Sequence, residues 1–369
     1  MNLIDPFKNY IYLMKRFKKY TSLAFGKNAH YLKPGKYKYD FNYTYYYHKD
    51  CNKVEYPLEL FLKNRKIQDH FILKDLTVKL SYYLIAFFTV KKVRNRQLNF
   101  PNYQAELIFN KRGAGFKFFD NKNSKVITIF SELDALNSMR EINHIHKYFC
   151  TAITKIDNSA QVVIEDLLDE SQENLYDVNN LLSASRKILE DFSVYLGDFT
   201  SLPSYTVNTK FLLSKYHSIL SVIPPCQYDK LITLDINIPL ISFFTDIKKQ
   251  NVFLIFDEYK LIDFDGFREI SPLTVAFGFL NSLFSKTSLD YLYYYKKGDF
   301  DLNLNKLFNE MGLDFDSKLK DSYFIFSMIT DLFIRQNILI EPTLTSTKLD
   351  SIIANFHNTL NRYNSIKVS

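Results

Sequence analysis

One short segment of the chain carries residue types that can perform phosphoryl chemistry. Asp246 and Asn251 lie in a predicted loop, and Asp263 stands at the end of the predicted strand–turn–strand that follows it. Such a hairpin brings all three side chains to one edge. Phosphoryl transfer from a nucleotide needs one carboxylate to orient the attacking hydroxyl and accept its proton, and an amide and a second carboxylate to hold Mg²⁺ against the phosphates. A surface hairpin whose Asp and Asn cap turns is the alternative interpretation.

This segment resembles the protein-kinase-like superfamily, which includes protein kinases, aminoglycoside and choline phosphotransferases, and bacterial lipopolysaccharide core sugar kinases. The match is to the His-Arg-Asp-Leu-Lys-x-x-Asn catalytic loop and to the Asp-Phe-Gly metal motif. The resemblance implies that Asp246 is the catalytic base and that Lys248 sits against the transferred phosphate. It also implies that Asn251 and Asp263 are the Mg²⁺ ligands. Asp265 stands where protein kinases have Gly, and small-molecule kinases of the superfamily often carry an acidic residue there.

The elements upstream of this segment follow the order that the resemblance requires. Residue patterns predict three strands, one helix and two further strands, over residues 104–109, 116–120, 125–130, 131–148, 151–156 and 161–165. This is the order of a kinase small lobe, so the resemblance covers residues 104–340. It implies that the strand ending at Glu165 leads into the hinge, where backbone groups contact adenine.

Two departures from the family pattern concern the groups that hold nucleotide phosphates. Gly113 and Gly115 provide two glycines where protein kinases have three in their Gly-rich loop. The strand over residues 126–130 lacks the lysine that clamps the α- and β-phosphates in the family. Lys117 on the preceding strand and Lys125 at the start of this one are both candidates to replace it.

The acidic partner of that lysine and the brace of the catalytic loop also need interpretation. The partner is expected on the predicted helix at Glu141, with Glu132 as the alternative, although Glu141 beside Arg140 also suits a solvated helix face. Phe244 and Thr245 replace the family's histidine before the catalytic aspartate. A Phe–Thr pair can brace the loop by packing instead.

Together with the resemblance, these patterns predict an α+β, bilobal protein-kinase-like fold, with a small antiparallel-sheet N-lobe that carries one helix and a mostly helical C-lobe. The expected regions are a basic, aromatic-rich N-terminal extension (1–103), the N-lobe and hinge (104–170), and the C-lobe (171–369) with the catalytic loop at 244–265. Helical periodicity predicts helices in the C-lobe over residues 175–196, 209–222, 273–284, 303–311, 322–335 and 347–363.

The composition excludes several classes of protein. Hydrophobic residues make up 47% and charged residues 24% of the 369 residues, which are globular values and exclude a disordered chain. Only 9 Gly disfavour an all-β protein built on tight hairpins. The 3 Cys are widely spaced, so neither a disulfide framework nor a zinc site is expected. The longest apolar run, over residues 80–90, is too short to span a bilayer.

The net charge of +7 is mild and predicts no nucleic-acid partner, but the basic excess is concentrated in the first 40 residues. Residues 3–20 place apolar side chains near helical spacing beside Lys and Arg. Such a helix can either lie on an anionic membrane surface or pack on the main body with a solvated basic face. The same charges interrupt any signal-peptide core, so a cytoplasmic location, at most peripheral to the membrane, is expected. Tyrosine-rich residues 37–47 alternate aromatic and polar types and predict extended strand.

The resemblance implies an ATP- and Mg²⁺-dependent phosphotransferase that acts on a hydroxyl. Asp265, the lack of an Ala-Pro-Glu element after it, and the helical insertion before the catalytic loop favour a sugar or glycolipid acceptor, in bacterial surface-polysaccharide biosynthesis. Two alternatives stay open. One is a kinase-fold pseudoenzyme that binds a partner or acts as a scaffold, because the third-strand lysine and the loop histidine are missing. The other is a protein kinase or effector.

Overall fold

Two compact units make up the chain in the computed structural model. The first comprises Met1–Arg140 and Ala152–Gln172, and the second comprises Glu141–Thr151 and Glu173–Ser369. The structure describes residues 21–40, 45–51, 91–93, 103–111, 115–130, 133–168, 177–199, 206–211, 234–247, 249–255, 258–264, 266–339 and 346–367. The predicted helix over residues 3–20 lies outside these ranges.

An 8-stranded antiparallel sheet forms the body of the first unit. Its strands are β1 (Gly35–Asp40), β2 (Tyr45–His48), β3 (Lys91–Val93), β4 (Leu107–Lys111), β5 (Gly115–Asp120), β6 (Lys125–Phe130), β7 (Ile153–Asp157) and β8 (Val162–Asp166), in the spatial order β3-β1-β2-β4-β5-β6-β8-β7. With the helices of the second unit, the sheet confirms the predicted mixed α+β class. The sheet runs across residue 103, because β1, β2 and β3 precede it. The division of the chain into the regions 1–103, 104–170 and 171–369 stays a prediction.

Apolar side chains cover both faces of the central strands. On one face the buried residues of β5 and β6 are Phe116, Phe118, Ile127 and Ile129. On the other face they include Phe119 and Val126. Successive side chains of a strand point to opposite faces, so strands covered on both sides read as continuous apolar runs. Buried polar residues within such strands therefore call for an explanation, and Lys117 and Thr128 are two of them.

The tyrosine-rich stretch contributes two strands to this sheet. In β1, Tyr37 lies opposite His48 of β2. In β2, Tyr45 lies opposite Phe109 of β4, and their stacked rings have centroids 4.9 Å apart. The buried Tyr37 hydroxyl donates to the backbone oxygen of Ala105 at 2.6 Å. The prediction of extended structure is therefore confirmed for the described residues of this stretch, and its rings serve core packing.

Helices dominate the second unit. The α-helices with printed bounds are α1 (Leu133–Tyr148), which begins in the first unit, α2 (Val178–Phe199), α3 (Pro272–Phe284), α4 (Tyr291–Lys297), α5 (Asp301–Glu310), α6 (Lys320–Leu339) and α7 (Ser346–Ser365), and short 3₁₀ helices lie at Ala29–Tyr31 and Ser317–Leu319. The helices predicted around α2, α3, α5, α6 and α7 are confirmed with ends shifted by a few residues. Of the helix predicted over 209–222, only residues 209–211 are described, and they are helical. Among the helices in the described ranges, none is both long enough and apolar enough to cross a bilayer.

Short strand pairs interrupt the helices of the second unit. They are β9 (Thr206–Asn208) with β10 (Asn237–Pro239), β11 (Ile241–Phe244) with β14 (Phe267–Ile270), and β12 (Val252–Ile255) with β13 (Glu258–Leu261), all antiparallel. A cluster of aromatic rings holds β11 in place. Phe243 of β11 lies with its ring centroid 5.3–5.9 Å from those of Phe149, Phe192, Tyr195 and Phe279. This cluster fixes the strand from which the predicted catalytic loop departs.

Candidate functional site

Nested strand pairs bring the two predicted loop segments together. β11 pairs with β14, and β12 pairs with β13 between them in the sequence. Residues 245–251 lead from the outer pair to the inner pair, and residues 262–266 lead back from the inner pair to the outer pair. The backbone N–H of Ile262 donates to the backbone oxygen of Asn251 at 3.0 Å, which joins the two segments. The first segment carries Asp246, Lys248 and Asn251 of the predicted site, and the second carries Asp263.

Asp246 and Asn251 contact each other within the first segment. The Asn251 Nδ2 donates to the backbone oxygen of Asp246 at 2.7 Å and lies 3.4 Å from the carboxylate Oδ2. Asn251 is buried, whereas Asp246 is half-buried. Because the amide nitrogen faces Asp246, Oδ1 is the atom of Asn251 that can coordinate a cation. Lys248, predicted beside the transferred phosphate, lies outside the described residues.

Asp263 has a backbone conformation that is unusual for a residue with a side chain. Its φ is 57°, in the left-handed region, where a non-glycine residue costs about 1–3 kcal/mol. Asp tolerates this region better than most residues because its short polar side chain can hydrogen-bond locally. Such conformations persist where the surrounding structure imposes them, and they cluster at functional sites. Here the strain falls on the predicted metal ligand.

Phe244 and Thr245 connect the two segments where the family has a histidine. The Phe244 ring meets the buried Phe264 ring edge to face, with centroids 5.3 Å apart. The Thr245 Oγ1 donates to the backbone oxygen of Gly266 at 2.9 Å, and the Thr245 N–H reaches the same oxygen at 3.3 Å. The predicted bracing by a Phe–Thr pair is confirmed, with a hydrogen bond from the hydroxyl added to the packing.

Helix α3 and strand β13 anchor these segments to the rest of the second unit. The Ser282 hydroxyl donates to the backbone oxygen of Ile247 at 3.2 Å. The Tyr259 hydroxyl donates to the carboxylate of Asp191 at 2.5 Å and accepts the backbone N–H of Cys150 at 3.1 Å. Burial, and then the charge of Asp191, raises the pKa of Tyr259, so its hydroxyl stays protonated and keeps both bonds.

In the first unit, Lys117 stands directly opposite the strand that lacks the family's lysine. Lys117 of β5 pairs in register with Thr128, near the middle of β6. Directly opposed residues of an antiparallel pair share a face of the sheet. Both are buried, and the Thr128 Oγ1 has no hydrogen-bond partner within the described part of the chain. A buried hydroxyl without a partner costs about 1–3 kcal/mol, which a bound ligand would recover.

Thr128 is a candidate that the sequence patterns did not single out. It is the only polar residue between Val126 and Phe130 in an otherwise apolar strand, and that interruption is the signal that could have found it. A lysine ammonium and a hydroxyl on one face offer the donors that phosphate oxygens require. Lys117 therefore stays a prediction for the phosphate lysine, and Thr128 joins it as a candidate.

Lys125 and Glu165 take part in the pairing of neighbouring strands. The Lys125 Nζ lies 2.5 Å from the Asp166 carboxylate of β8. This ion pair gives Lys125 a structural role, and it favours Lys117 as the phosphate lysine. Glu165 is buried within β8, in register with Val126 on one side and Ile153 on the other. Its predicted backbone contact with adenine stays a prediction.

The predicted glycines and the helix acid have the following positions. Gly115 begins β5 with a φ of 140°, and a Cβ there would lie 1.8 Å from the backbone oxygen of Ile129. The sheet itself therefore requires this glycine, whether or not it also contacts phosphate. Gly113 lies outside the described residues. Glu141 is half-buried on α1 and contributes, after burial, to raising the pKa of Tyr195. Its pairing with a lysine stays a prediction.

The oxygen atoms offered by Asn251 and Asp263 are suited to a magnesium ion that is bound together with a nucleotide. Nucleotide-bound Mg²⁺ takes oxygen ligands, commonly one or two carboxylates together with the phosphates. The Asn251 amide oxygen and the Asp263 carboxylate are ligands of this kind. Within the described ranges, no three His, Cys, Asp or Glu side chains form a metal cluster. Asn251 and Asp263 would hold such an ion together with the phosphates of the nucleotide.

Several solved structures are similar to the chain. One is a choline/ethanolamine kinase family protein from Mesorhizobium loti, with 12% identity, a TM-score of 0.36, and coverage of 67% of this chain and 87% of that one. Another is an amicoumacin kinase in complex with AMP-PNP, Ca²⁺ and Ami, with 12% identity, a TM-score of 0.38, and coverage of 79% and 96%. Choline kinase LicA from Streptococcus pneumoniae has 10% identity, a TM-score of 0.35, and coverage of 78% and 100%.

These structures are kinases of the superfamily that residues 244–265 resemble. No family profile matches the chain, and no curated protein matches it. Similarity at this level assigns no function, so the case for one rests on the residues of this chain.

Proposed function

We propose that the protein is an ATP- and Mg²⁺-dependent phosphotransferase whose acceptor is a hydroxyl group. The observation that carries the proposal is the pair of Asp246 and Asn251. The amide nitrogen of Asn251 donates to the backbone oxygen of Asp246 at 2.7 Å and lies 3.4 Å from its carboxylate, and the amide oxygen is the atom that can bind a metal. Asp263, on the adjoining segment, supplies the second ligand.

Each residue of this set has one role in the transfer. Asp246 orients the acceptor hydroxyl and takes its proton as the bond to phosphorus forms. Asn251 and Asp263 hold Mg²⁺, which when bound neutralises charge on the phosphates. Within the first unit, Lys117 and the Thr128 hydroxyl donate to phosphate oxygens.

Two further roles in the proposal rest on the resemblance. Lys248 would contact the transferred phosphate, and the backbone near Glu165 would contact adenine. The glycines at 113 and 115 would lie near the phosphates.

We propose a sugar or glycolipid as the acceptor, in surface-polysaccharide biosynthesis. The segment after Asp263 supports a small-molecule acceptor over a protein. β14 follows it at Phe267–Ile270, and α3 begins at Pro272. A protein kinase places its long activation segment at this point of the chain. The acidic Asp265 agrees with the same choice.

The second candidate is a kinase-fold pseudoenzyme that binds a partner. The observation that favours it is that residues 126–130 of β6 contain no lysine. Two observations argue against it: Lys117 lies in register with Thr128, and Phe244 and Thr245 brace the catalytic loop.

We also propose that the basic residues 3–20 contact an anionic membrane surface at the periphery. Their charge and their near-helical spacing support this separate proposal.

Release of ADP from Mg·ATP by the purified full chain tests the function. We expect Asp246→Asn to lower the rate by about 10²–10⁴-fold, as for the loss of a general base. The matched control is Asp314→Asn, because Asp314 is exposed in a loop. AMP-PNP binding with no ADP release from the wild type would favour the pseudoenzyme. A release rate that Asp246→Asn leaves unchanged would contradict the assignment of the base.

A further inference from the structure

Four exposed lysines share one face of the sheet at strands β1, β2 and β3. Lys36 of β1 lies directly opposite Lys92 of β3. Lys49 follows the last residue of β2 and continues its register, because its N–H donates to the backbone oxygen of Lys36 at 2.8 Å. Lys38 lies two residues after Lys36 and therefore on the same face. All four side chains are exposed, and together they are the lysine face.

The other face of these strands belongs to the core of the first unit. Tyr37, which separates Lys36 from Lys38, is buried there together with Tyr46 and Val93. Neighbouring residues of a strand point to opposite faces, so burial of this face directs the lysines to solvent. The arrangement is therefore a consequence of strand register, which holds the four ammonium groups on a single surface.

The lysines of this face stand next to one another without alternating charge. Lys92, Lys36 and Lys49 occupy directly opposed positions on three successive strands, which lie about 5 Å apart. Like charges in directly opposed positions destabilise a strand pair. An anionic partner would remove this repulsion, and a surface of one charge sign attracts such a partner.

The acidic residues near these strands do not offset the charge within the described part of the chain. Glu106 pairs with Lys33, and the Asp50 carboxylate lies 3.8 Å from Nδ1 of His48. Asp40 ends β1 opposite Tyr45, at the far end from Lys36. Among the described residues, no carboxylate forms an ion pair with a member of the lysine face. The face thus keeps its positive charge.

The form of the surface favours a membrane over a nucleic acid as the partner. Proteins that bind single strands stack bases on exposed aromatic rings, but Tyr37, Tyr45 and Tyr46 are buried in the cores of the sheet. Arginine is preferred for bidentate contacts with nucleic acids, and strands β1, β2 and β3 contain none. Exposed lysines on one face match the diffuse negative potential of anionic phospholipids.

We propose that the lysine face docks the first unit on the surface of a membrane that contains anionic phospholipids. Each lysine held near such a surface contributes about fivefold to the affinity, so four of them supply useful binding together. The lysine face is a different surface from residues 3–20. The proposal does not depend on the phosphotransferase function, because it uses no residue of that site.

Co-sedimentation of the full chain with vesicles tests this proposal. One set of vesicles contains phosphatidylcholine alone, and the other contains phosphatidylcholine mixed with phosphatidylserine. We expect binding to the mixed vesicles only, and loss of it when NaCl is raised from about 0.1 M to about 1 M, because the Debye length falls to about 3 Å. Combined substitution of the lysine face should weaken binding by about 100-fold or more, through Lys36→Gln, Lys38→Gln, Lys49→Gln and Lys92→Gln.

A matched variant removes the same charge from exposed positions elsewhere, through Lys122→Gln, Lys155→Gln, Lys318→Gln and Lys367→Gln. It should weaken binding by about tenfold at most, because charges far from the membrane are screened. Replacement of the four lysines of the face by arginine should retain binding. Urea unfolding shows that the lysine-face variant folds, and its midpoint should stay unchanged or rise, because opposed like charges are removed.

Four outcomes would overturn the proposal. The first is equal binding to the two kinds of vesicle, or binding to neither. The second is wild-type binding by the lysine-face variant, which would assign the membrane contact to residues 3–20. The third is an equal loss of binding in the two glutamine variants. The fourth is tighter binding of a single-stranded oligonucleotide than of the mixed vesicles at the same salt, lost in the lysine-face variant, which would make a nucleic acid the partner.

Discussion

Individual hydrogen bonds and ring contacts hold residues 245–251 and residues 262–266 next to each other. Thr245 is central, because its hydroxyl and its N–H both reach the backbone oxygen of Gly266. Gly266 itself has a φ of 68°, which suits glycine and lets its backbone approach the threonine. The neighbouring Phe244 adds an edge-to-face contact of about 0.5–1.5 kcal/mol. Together these contacts do the positioning that a histidine does in the family pattern.

Removal of the threonine hydroxyl tests this role. Thr245→Val keeps the shape but loses the bond to Gly266, so we expect the free energy of unfolding to fall by about 0.5–1.5 kcal/mol. We also expect kcat for ATP turnover to fall by about tenfold or more while the KM for ATP stays unchanged, because the segments lose their alignment. Urea unfolding and steady-state kinetics measure the two effects. Thr245→Ser, which retains the hydroxyl, should restore kcat, and failure of this rescue would contradict the positioning role.

At the scale of elements, strand register explains how β5 supplies a lysine opposite residues 126–130 of β6, which contain none. The turn over residues 121–124 sets Asp120 opposite Lys125, and this register carries Lys117 to the level of Thr128. The Asp120 carboxylate fixes the turn, because it accepts from the backbone N–H of Asn123 at 3.1 Å. The lysine thus lies on β5 and not on β6, where the family pattern has it, but it shares the face of the sheet that carries Thr128.

A matched pair of lysine variants tests this register argument. We expect Lys117→Met to weaken AMP-PNP binding by about 10–100-fold, which corresponds to the loss of a hydrogen bond from a charged donor. Lys125→Met should leave binding nearly unchanged, because Lys125 pairs with Asp166. Titration calorimetry of both variants measures the difference. Equal effects, or a larger effect of Lys125→Met, would make Lys125 the phosphate lysine.

The elements that the sequence predicts well are those defined by local pattern. The hairpin of β5 and β6 follows from its two short apolar runs and the turn between them, and the long helices follow from their periodicity. The pairing of β11 with β14 could not be predicted, because each strand has only four residues and the partners are distant in the chain. Helix α4 has seven residues, and its ends are set by the Asp290 cap and by Gly298 with a φ of 96°. The same limit applied to the site: the loop residues were predicted, whereas the contact of Thr245 with Gly266 depends on the long-range pairing.

At the scale of the whole molecule, each unit has its own core and its own set of candidate groups. The first unit contributes the buried polar face with Lys117 and Thr128. The second contributes Asp246, Asn251 and Asp263, on segments anchored by an aromatic core. The proposed metal ligands thus lie within one unit.

The Mg²⁺ dependence of AMP-PNP binding decides whether these segments form a nucleotide–metal site. In titration calorimetry of the wild type, we expect Mg²⁺ to tighten AMP-PNP binding by about tenfold or more, because the ion offsets phosphate charge. Asp263→Asn, which removes one ligand charge and keeps the side-chain size, should abolish most of this effect, and Asp314→Asn should retain it. AMP-PNP binding that is equally tight with Mg²⁺ and with EDTA, or no binding at all, would contradict the proposed phosphotransferase.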